Sequence, residues 1–351
     1  MNKSLLLKEA LLNDITSNRY PEGKSIPSRN LLCARYKCSR TTVERAVTAL
    51  KNMGLLTSRQ GGATIVTPRG ARGASGEKIR HVYLMAADLE VYSEKALREM
   101  FLPGLEKEVQ IHTSSVESLL RHLDTLTLMG SLFVWIMPKV EHLHIIRHFQ
   151  QCRIPQLLIN RNYGEEFDSA CTDTLASLRE GLSWLMIEGG RELALVSKTP
   201  SMHQPYLSER LNAFYECSIA LGAHLASDRL YIRDFRDIPG EMSEVGQRLF
   251  SSQKTPRGIV VLDSHLTLPL VTCGQVYGKK PGRDYFLLTI DYLPELKNYP
   301  GVGMMRQQDE KLFLETKRYL VDGFYRKKEL FSSRIKTELI IPLPAHTPET
   351  A

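Results

Sequence analysis

The sequence predicts an α/β protein made of a small, mainly helical N-terminal domain and a larger two-lobed body of doubly wound parallel sheets. The chain has 351 residues, more than one average domain. Three helical patterns and a hairpin pattern precede residue 68, and short apolar runs alternate with helical patterns from residue 80 onward. Such alternation is typical of parallel strands joined by right-handed crossovers. We predict an N-terminal domain at 1–67, a flexible linker at 68–79, a body at 80–345 and a tail at 346–351.

The first two helices are predicted from apolar spacing and turn residues. Leucines and isoleucines recur at helical spacing between Leu5 and Ile15, and Tyr20–Gly23 is a turn signal. Ser28 follows a proline and can cap a second helix that reaches Tyr36. A short turn at Lys37-Cys38 then leads to a third helix.

The third helix is predicted from Arg40 to Met53 and has two distinct faces. Its apolar residues share one side: Val43, Ala46, Val47, Leu50 and Met53. The other side carries Arg40, Thr41, Glu44, Arg45 and Thr48. Alternating residues on both sides of Gln60-Gly61-Gly62 predict a β-hairpin next, so the segment is a winged helix-turn-helix.

This arrangement is what a DNA recognition helix requires. An apolar back holds the helix, Arg can donate twice to a guanine edge, and Ser and Thr hydroxyls can bond phosphates. The first 80 residues hold 15 Lys and Arg against 5 Asp and Glu, whereas the rest of the chain is slightly acidic. A basic segment on an acidic body favours a polyanion partner. The alternative is a helix-turn-helix that packs against protein.

Residues 3–67 resemble the N-terminal domain of GntR-family transcription regulators. The resemblance depends on Ile26-Pro27-Ser28, Ser39-Arg40-Thr41-Thr42-Val43, Gly54-Leu55 and Gly61-Gly62-Ala63-Thr64. It implies a double-stranded DNA operator as partner. The predicted DNA-binding residues are Ser28, Arg29, Asn30, Ser39, Arg40, Thr41, Thr42, Arg45, Gln60, Gly61 and Gly62.

Two residues depart from the family pattern. Asn30 and Glu44 stand where family members place arginine. A glutamate can accept a hydrogen bond from cytosine but repels phosphate. We therefore expect the operator sequence to differ from the common family sites.

The body is predicted as strands and helices in alternation. The strands are expected at 81–87, 131–137, 155–160, 193–197, 258–262 and 285–290. The helices are expected at 94–108, at 140–152, from 175 to an end at Gly189-Gly190, and around 210–221. The sequence contains no GxGxxG, Walker lysine loop, HExxH or GxSxG motif, so we expect no enzyme activity, cofactor or metal site. The six cysteines form no CxxC pair and the N-terminus has no signal-peptide core, which favours a cytoplasmic protein.

The body resembles the effector domain of LacI-type repressors, which is itself similar to periplasmic sugar-binding proteins. The matching segments are Ile154–Arg161, Thr172–Val196, Glu209–Phe214, Pro256–Asp263 and Thr289–Asp291. This resemblance implies a small ligand, most simply a sugar, bound between two lobes at the carboxyl ends of strands. The predicted effector-binding residues are Asp88, Arg161, Asp173, Arg210, Asp263 and Asp291. A capping or loop role is the alternative for Asp88 and Asp173, and a structural ion pair for Arg161.

Together, the two resemblances predict a ligand-controlled transcription regulator, a repressor that works as a homodimer. The architecture is similar to that of arabinose repressors, in which a GntR-type reader is fused to a sugar-sensing body. A cytoplasmic solute-binding protein and an enzyme with a DNA-binding appendage are the alternatives.

Overall fold

The computed structural model describes residues 3–17, 19–52, 55–58, 62–67, 78–86, 109–116, 119, 130–151, 154–164, 166–251, 255–327 and 329–342. The predicted helix at 94–108, most of the predicted linker and the predicted tail lie outside these residues. The chain forms two compact units, 1–171 with 310–333 and 172–309 with 334–351. The chain therefore passes from one unit to the other three times.

The N-terminal domain has the predicted order of three helices and a hairpin. The elements are α1 (Lys3–Thr16), α2 (Arg29–Tyr36), α3 (Arg40–Asn52), β1 (Leu56–Ser58) and β2 (Thr64–Val66). Strands β1 and β2 are antiparallel, with Thr57 opposite Ile65. The loop before α2 also pairs with β2, because the Ile26 amide donates to the Thr64 carbonyl at 2.9 Å. The hairpin is thus attached to the rest of the domain through its second strand.

The body begins with strands of the first sheet. In chain order the elements are β3 (His81–Ala86), β4 (Gln110–Ser114), β5 (Ser131–Ile136), α4 (Leu143–Gln151), β6 (Gln156–Ile159) and β7 (Ser169–Thr172). The second unit follows with α5 (Thr174–Gly189), β8 (Glu192–Lys198), α6 (Pro205–Leu221), β9 (His224–Arg233), α7 (Ile238–Phe250), β10 (Gly258–Val261), α8 (Thr267–Val276), β11 (Phe286–Ile290) and β12 (Val302–Arg306). The last elements are α9 (Asp309–Val321), β13 (Ser332–Ile335) and β14 (Glu338–Ile340).

These strands form two six-stranded sheets. The first has the order β13-β7-β6-β5-β3-β4 and the second β14-β12-β11-β10-β8-β9. Neighbouring strands from β8 to β12 are parallel, whereas β14 joins β12 in the antiparallel direction. All six residues of β5 are buried, as expected for a strand covered on both faces. The predicted α/β class with parallel sheets is confirmed, with the correction that one edge strand of the second sheet is antiparallel.

The helix ends of the body have identifiable causes. Gly222 adopts φ 70° directly after α6, and the amide of Ala223 then donates to the carbonyl of Ser218 at 2.8 Å. A residue in the left-handed conformation at this position terminates a helix, and glycine adopts that conformation at little cost.

Among the described helices, none combines the length and the apolar character that crossing a membrane demands.

A half-buried carboxyl group joins α9 and the segment before β13 within the first unit. The Tyr319 hydroxyl donates to Oδ2 of Asp168 at 2.5 Å, and the Phe331 amide donates to Oδ1 at 2.7 Å. Burial raises the pKa of Asp168 above its usual range, although both hydrogen bonds oppose this effect. The folded state therefore binds this proton more tightly than the unfolded chain does.

The sign of the resulting pH dependence follows from proton linkage. Between the unfolded carboxyl pKa of about 4 and the raised pKa of Asp168 in the fold, the free energy of unfolding falls as pH rises. We expect Asp168→Asn to be more stable relative to the wild type at pH 7 than at acid pH, because a neutral amide avoids the desolvation cost. Thermal unfolding at several pH values measures this. The exposed Asp322→Asn is the control, and a difference that runs the other way with pH would contradict the assignment.

Candidate nucleic-acid interface and ligand site

Helix α3 is fixed by its apolar side. Val43, Ala46, Val47 and Leu50 are fully buried in the core of the N-terminal domain, where α3 packs against α1. The predicted core face is therefore the face that is buried. Burying a valine or leucine side chain contributes about 1.5–3 kcal/mol, so turning the polar face of the helix toward the core would be strongly unfavourable.

The turn that leads into α3 is tight. Lys37 adopts φ 46°, in the left-handed region, and ends α2. Ser39 then accepts a hydrogen bond from the Thr42 amide at 3.2 Å, which caps the N-terminus of α3. The geometry leaves Arg40 exposed on the first turn of the helix.

The outward face of α3 is a polar stripe. Thr41, Glu44, Arg45 and Thr48 lie at positions i, i+3, i+4 and i+7, which share one side of a helix. Thr41, Arg45 and Thr48 are exposed and Glu44 is half-buried. Among the described residues, no side chain pairs with the guanidinium groups of Arg40 or Arg45. Both cations are thus available to a ligand of opposite charge.

Arg29 occupies a different position from these two arginines. Its Nε lies 3.3 Å from Oε1 of Glu44, and its Nη1 donates to Oγ1 of Thr64 at 2.8 Å. The Arg29 side chain is 19% exposed, whereas Glu44 is 47% exposed. One side chain therefore connects the start of α2, the outward face of α3 and the hairpin.

The remaining predicted contacts surround this network. Ser28 accepts from the Leu31 amide at 3.3 Å and caps α2, and Asn30 is exposed beside it. Gly62 is exposed next to β2, whereas Gln60 and Gly61 lie outside the described residues. Their role as DNA contacts stays a prediction.

A second polar cluster lies in the second unit, at the carboxyl ends of four parallel strands. Lys198 ends β8, Asp263 follows β10, Asp291 follows β11 and Gln307 follows β12. Arg210 reaches the same edge from the first half of α6. The structure thus brings together three residues that the sequence predicted: Arg210, Asp263 and Asp291.

Arg210 and Asp291 are oriented by several partners. Nη1 of Arg210 donates to the carbonyl of Leu262 at 3.0 Å, and Nη2 lies 3.7 Å from Oδ2 of Asp291. Asp291 also accepts from Ser264 at 3.2 Å and from Nε2 of Gln307 at 2.6 Å. The backbone of Asp291 has φ 74°, a conformation that non-glycine residues adopt at a cost. Such a fixed carboxylate beside a planar guanidinium is suited to a ligand rich in hydroxyl groups.

Lys198 and Asp263 form the buried part of this cluster. Nζ of Lys198 lies 3.1 Å from Oδ2 of Asp263, and their side chains are 18% and 3% exposed. Oδ2 has no well-aligned hydrogen bond among the described residues, so the contact is mainly charge attraction. The cluster carries two cations and two carboxylates, and its charges balance.

The other predicted ligand contacts have local roles. Asp173 accepts a hydrogen bond from the Ala176 amide at 2.9 Å and caps α5. This is the capping role that was the alternative to ligand binding for this residue. Arg161 belongs to the first unit and lies next to Tyr163, whose hydroxyl donates to the Pro138 carbonyl at 2.7 Å. Burial raises the pKa of Tyr163, and the nearby Arg161 opposes this effect. Asp88 lies outside the described residues.

The N-terminal domain matches a known protein family. Residues 4–66 fit the model described as "Bacterial regulatory proteins, gntR family". These residues are a GntR-family domain. The "Probable fructoselysine utilization operon transcriptional repressor" of Escherichia coli (strain K12) is 35% identical over 68 residues, which are 19% of this chain and 28% of that protein. The match therefore spans under a third of the relative's own length.

Solved structures match the body. A regulatory protein of the LacI family from Chloroflexus aggregans is 14% identical with a TM-score of 0.60, over 74% of this chain and 97% of that one. A complex of the transcriptional regulator CelR with cellobiose is 16% identical with a TM-score of 0.57, over 90% and 99% of the two chains. At sequence identities this low, the similarity shows the fold alone. It confirms that the body has the predicted LacI-type fold.

Several residues of both sites were not predicted from the sequence. In the GntR domain, Thr64 contacts Arg29 from the hairpin, a pairing that no local pattern indicates. In the body, Lys198 contacts the predicted Asp263, and Ser264 and Gln307 contact the predicted Asp291. The available signal was their position, since Lys198 is the last residue of a strand, Gln307 directly follows one and Ser264 follows Asp263. Ligands of open α/β sheets bind at these carboxyl ends of strands.

Proposed function

We propose that the protein is a transcription regulator, a repressor that binds a double-stranded DNA operator through its GntR domain. The observation that carries this proposal is the outward face of α3, where Arg40 and Arg45 stand exposed beside threonine hydroxyls. The E. coli relative is named as a probable transcriptional repressor, which supports repression as the direction of control. A repressor of this kind acts in the cytoplasm and catalyses no reaction.

The ligand of the body is a sugar or a sugar derivative in this proposal. The cluster around Arg210 and Asp291 offers a planar cation, a carboxylate and an amide within a few ångströms, which suits the hydroxyl pairs of a sugar ring. The CelR structure, with its LacI-type fold, was solved with cellobiose. Binding at this cluster changes the affinity of the GntR domain for its operator, a coupling worth about 1–3 kcal/mol in typical cases.

A gel-shift assay at stated salt, with the DNA upstream of the protein's own gene, tests the proposal. Retardation that a sugar relieves supports a ligand-controlled repressor. Sugar binding without any retardation at micromolar protein indicates a solute-binding protein instead. A purified protein that is coloured by pyridoxal phosphate indicates an enzyme fusion.

The proposed repressor works as a homodimer, because two copies match the two half-sites of a near-palindromic operator. Helix α8 supports pairing, since it exposes Leu268 and Val276 at 41% and 78%, eight positions apart on one side. We expect Leu268→Glu/Val276→Glu to sediment as a monomer. Ile219→Glu on α6, also strongly exposed, is the control and stays dimeric. An unchanged sedimentation coefficient for the α8 variant would exclude this helix as the pairing surface.

A further inference from the structure

The outward face of α3, which would face DNA in the proposed function, contains a carboxylate. Glu44 lies in the same stripe as Thr41, Arg45 and Thr48, and nearly half of its side chain is exposed. DNA carries about one negative charge per 1.7 Å of helix axis, so an uncompensated carboxylate in a groove weakens binding. Glu44 is compensated by Arg29, which approaches Oε1 at 3.3 Å.

The contact with Arg29 also fixes where the carboxylate points. Arg29 is mostly shielded, and its Nη1 is itself held by Thr64 at 2.8 Å. Arg29 therefore cannot swing toward DNA without breaking both bonds. Among the described residues, Oε2 of Glu44 has no hydrogen-bond partner. One oxygen of the carboxylate is thus anchored and the other remains able to accept a hydrogen bond.

Base chemistry decides what such an oxygen can bind. In the major groove, hydrogen-bond donors are presented by the amino groups of cytosine and adenine. Adenine places the N7 acceptor beside its amino group, and this lone pair repels a carboxylate. Cytosine has a donor and no adjacent acceptor at that edge, so cytosine is favoured.

We propose that Glu44 is a specificity-determining residue that selects cytosine at one position of each operator half-site, and that Arg29 is its positioning residue. This inference rests on the proposed DNA-binding function. It also gives Arg29 a role different from a direct DNA contact: the guanidinium neutralises Glu44 and ties α3 to the hairpin.

Selection from a random duplex pool tests the proposal, because the operator need not be known. The full-length wild type, Glu44→Gln and Arg29→Gln are each used for selection at the same salt concentration. We expect the wild type to enrich cytosine at one position per half-site, with a preference of about tenfold or more. Glu44→Gln replaces this preference with adenine, since glutamine bonds both N6 and N7 of adenine, and leaves the other positions unchanged.

The variants separate the possible outcomes. Arg29→Gln is expected to weaken the preference at the same position, whereas a change at a different position would show that Arg29 reads DNA itself. An identical consensus for wild type and Glu44→Gln overturns the role of Glu44. Absence of enrichment by the wild type overturns the proposed DNA-binding function instead. Thermal unfolding of each variant confirms that the fold is retained.

Discussion

Removing both exposed arginines of α3, as Arg40→Ala/Arg45→Ala, is expected to weaken operator binding at least about 100-fold at fixed salt. A bidentate arginine–guanine pair is worth about 1–3 kcal/mol, and every 1.4 kcal/mol is tenfold in affinity. Among the described residues, neither guanidinium has a partner inside the protein, so the substitution breaks no ion pair or hydrogen bond between them. Alanine also has the highest helix propensity, and helix α3 should remain intact.

The salt dependence identifies what each arginine contacts. If the two arginines bind phosphates, the slope of log affinity against log salt falls by about two, and all sequences lose affinity alike. If they bind guanine edges, specific affinity falls while binding to unrelated DNA persists. Fluorescence anisotropy with the operator and with unrelated DNA, over a range of salt concentrations, measures both quantities.

A matched control separates these contacts from net charge. Arg191→Ala/Arg236→Ala removes the same two charges from exposed side chains of the second unit. This control should bind operator within about twofold of the wild type, because it lowers the net charge by the same amount while both arginines of α3 remain in place. Operator affinity of the α3 variant close to that of the wild type would exclude α3 as the recognition helix.

The sequence alone was enough to predict elements that are buried along their whole length, or that have one buried face and one exposed face. Strand β5 reads SLFVWI and is buried throughout, so an apolar run alone identifies it. Helix α3 has a fully buried face and an exposed one, which its spacing reproduces. Strand β9 was missed because it is an edge strand with mixed exposure, and its register with β8 shifts between Leu193 and Leu195.

Site residues could be predicted where they stand in a recognisable sequence motif. They could not be predicted where their contacts depend on which residues of neighbouring strands lie opposite each other. Arg210, Asp263 and Asp291 each stand in a segment that resembles a known effector domain. Lys198 meets Asp263 because β8 and β10 pair in parallel with Val196 opposite Val261, which no local pattern encodes. The contact of Arg29 with Thr64 depends in the same way on how β2 is attached to the loop before α2.

Replacement of Arg210 by alanine is expected to weaken ligand binding by about 100-fold or more. Hydrogen bonds to a charged group contribute about 1.5–3 kcal/mol, and a guanidinium can make two of them to neighbouring hydroxyls. The cost to the unliganded fold should be smaller. Among the described residues, Arg210 makes one hydrogen bond, to Leu262, and its distance to Asp291 is 3.7 Å, long for an ion pair. Asp291 keeps Ser264 and Gln307 as partners after the substitution.

A thermal-shift screen of neutral monosaccharides, disaccharides and sugar phosphates first identifies ligands that stabilise the wild type, and calorimetry then compares the affinities of the variants. Arg229→Ala is the matched control: Arg229 lies in the same unit, is 20% exposed against 13% for Arg210, and pairs with Glu192 at 2.8 Å. Arg229 is on β9, away from the strand-end cluster, so its loss should leave ligand affinity unchanged. Equal affinities for the wild type and Arg210→Ala would place the ligand elsewhere, while an equal loss in both arginine variants would point to general destabilisation of the unit. A selective loss in Arg210→Ala, with operator binding retained but no longer relieved by the sugar, would assign the sensing step to this cluster and the reading step to α3.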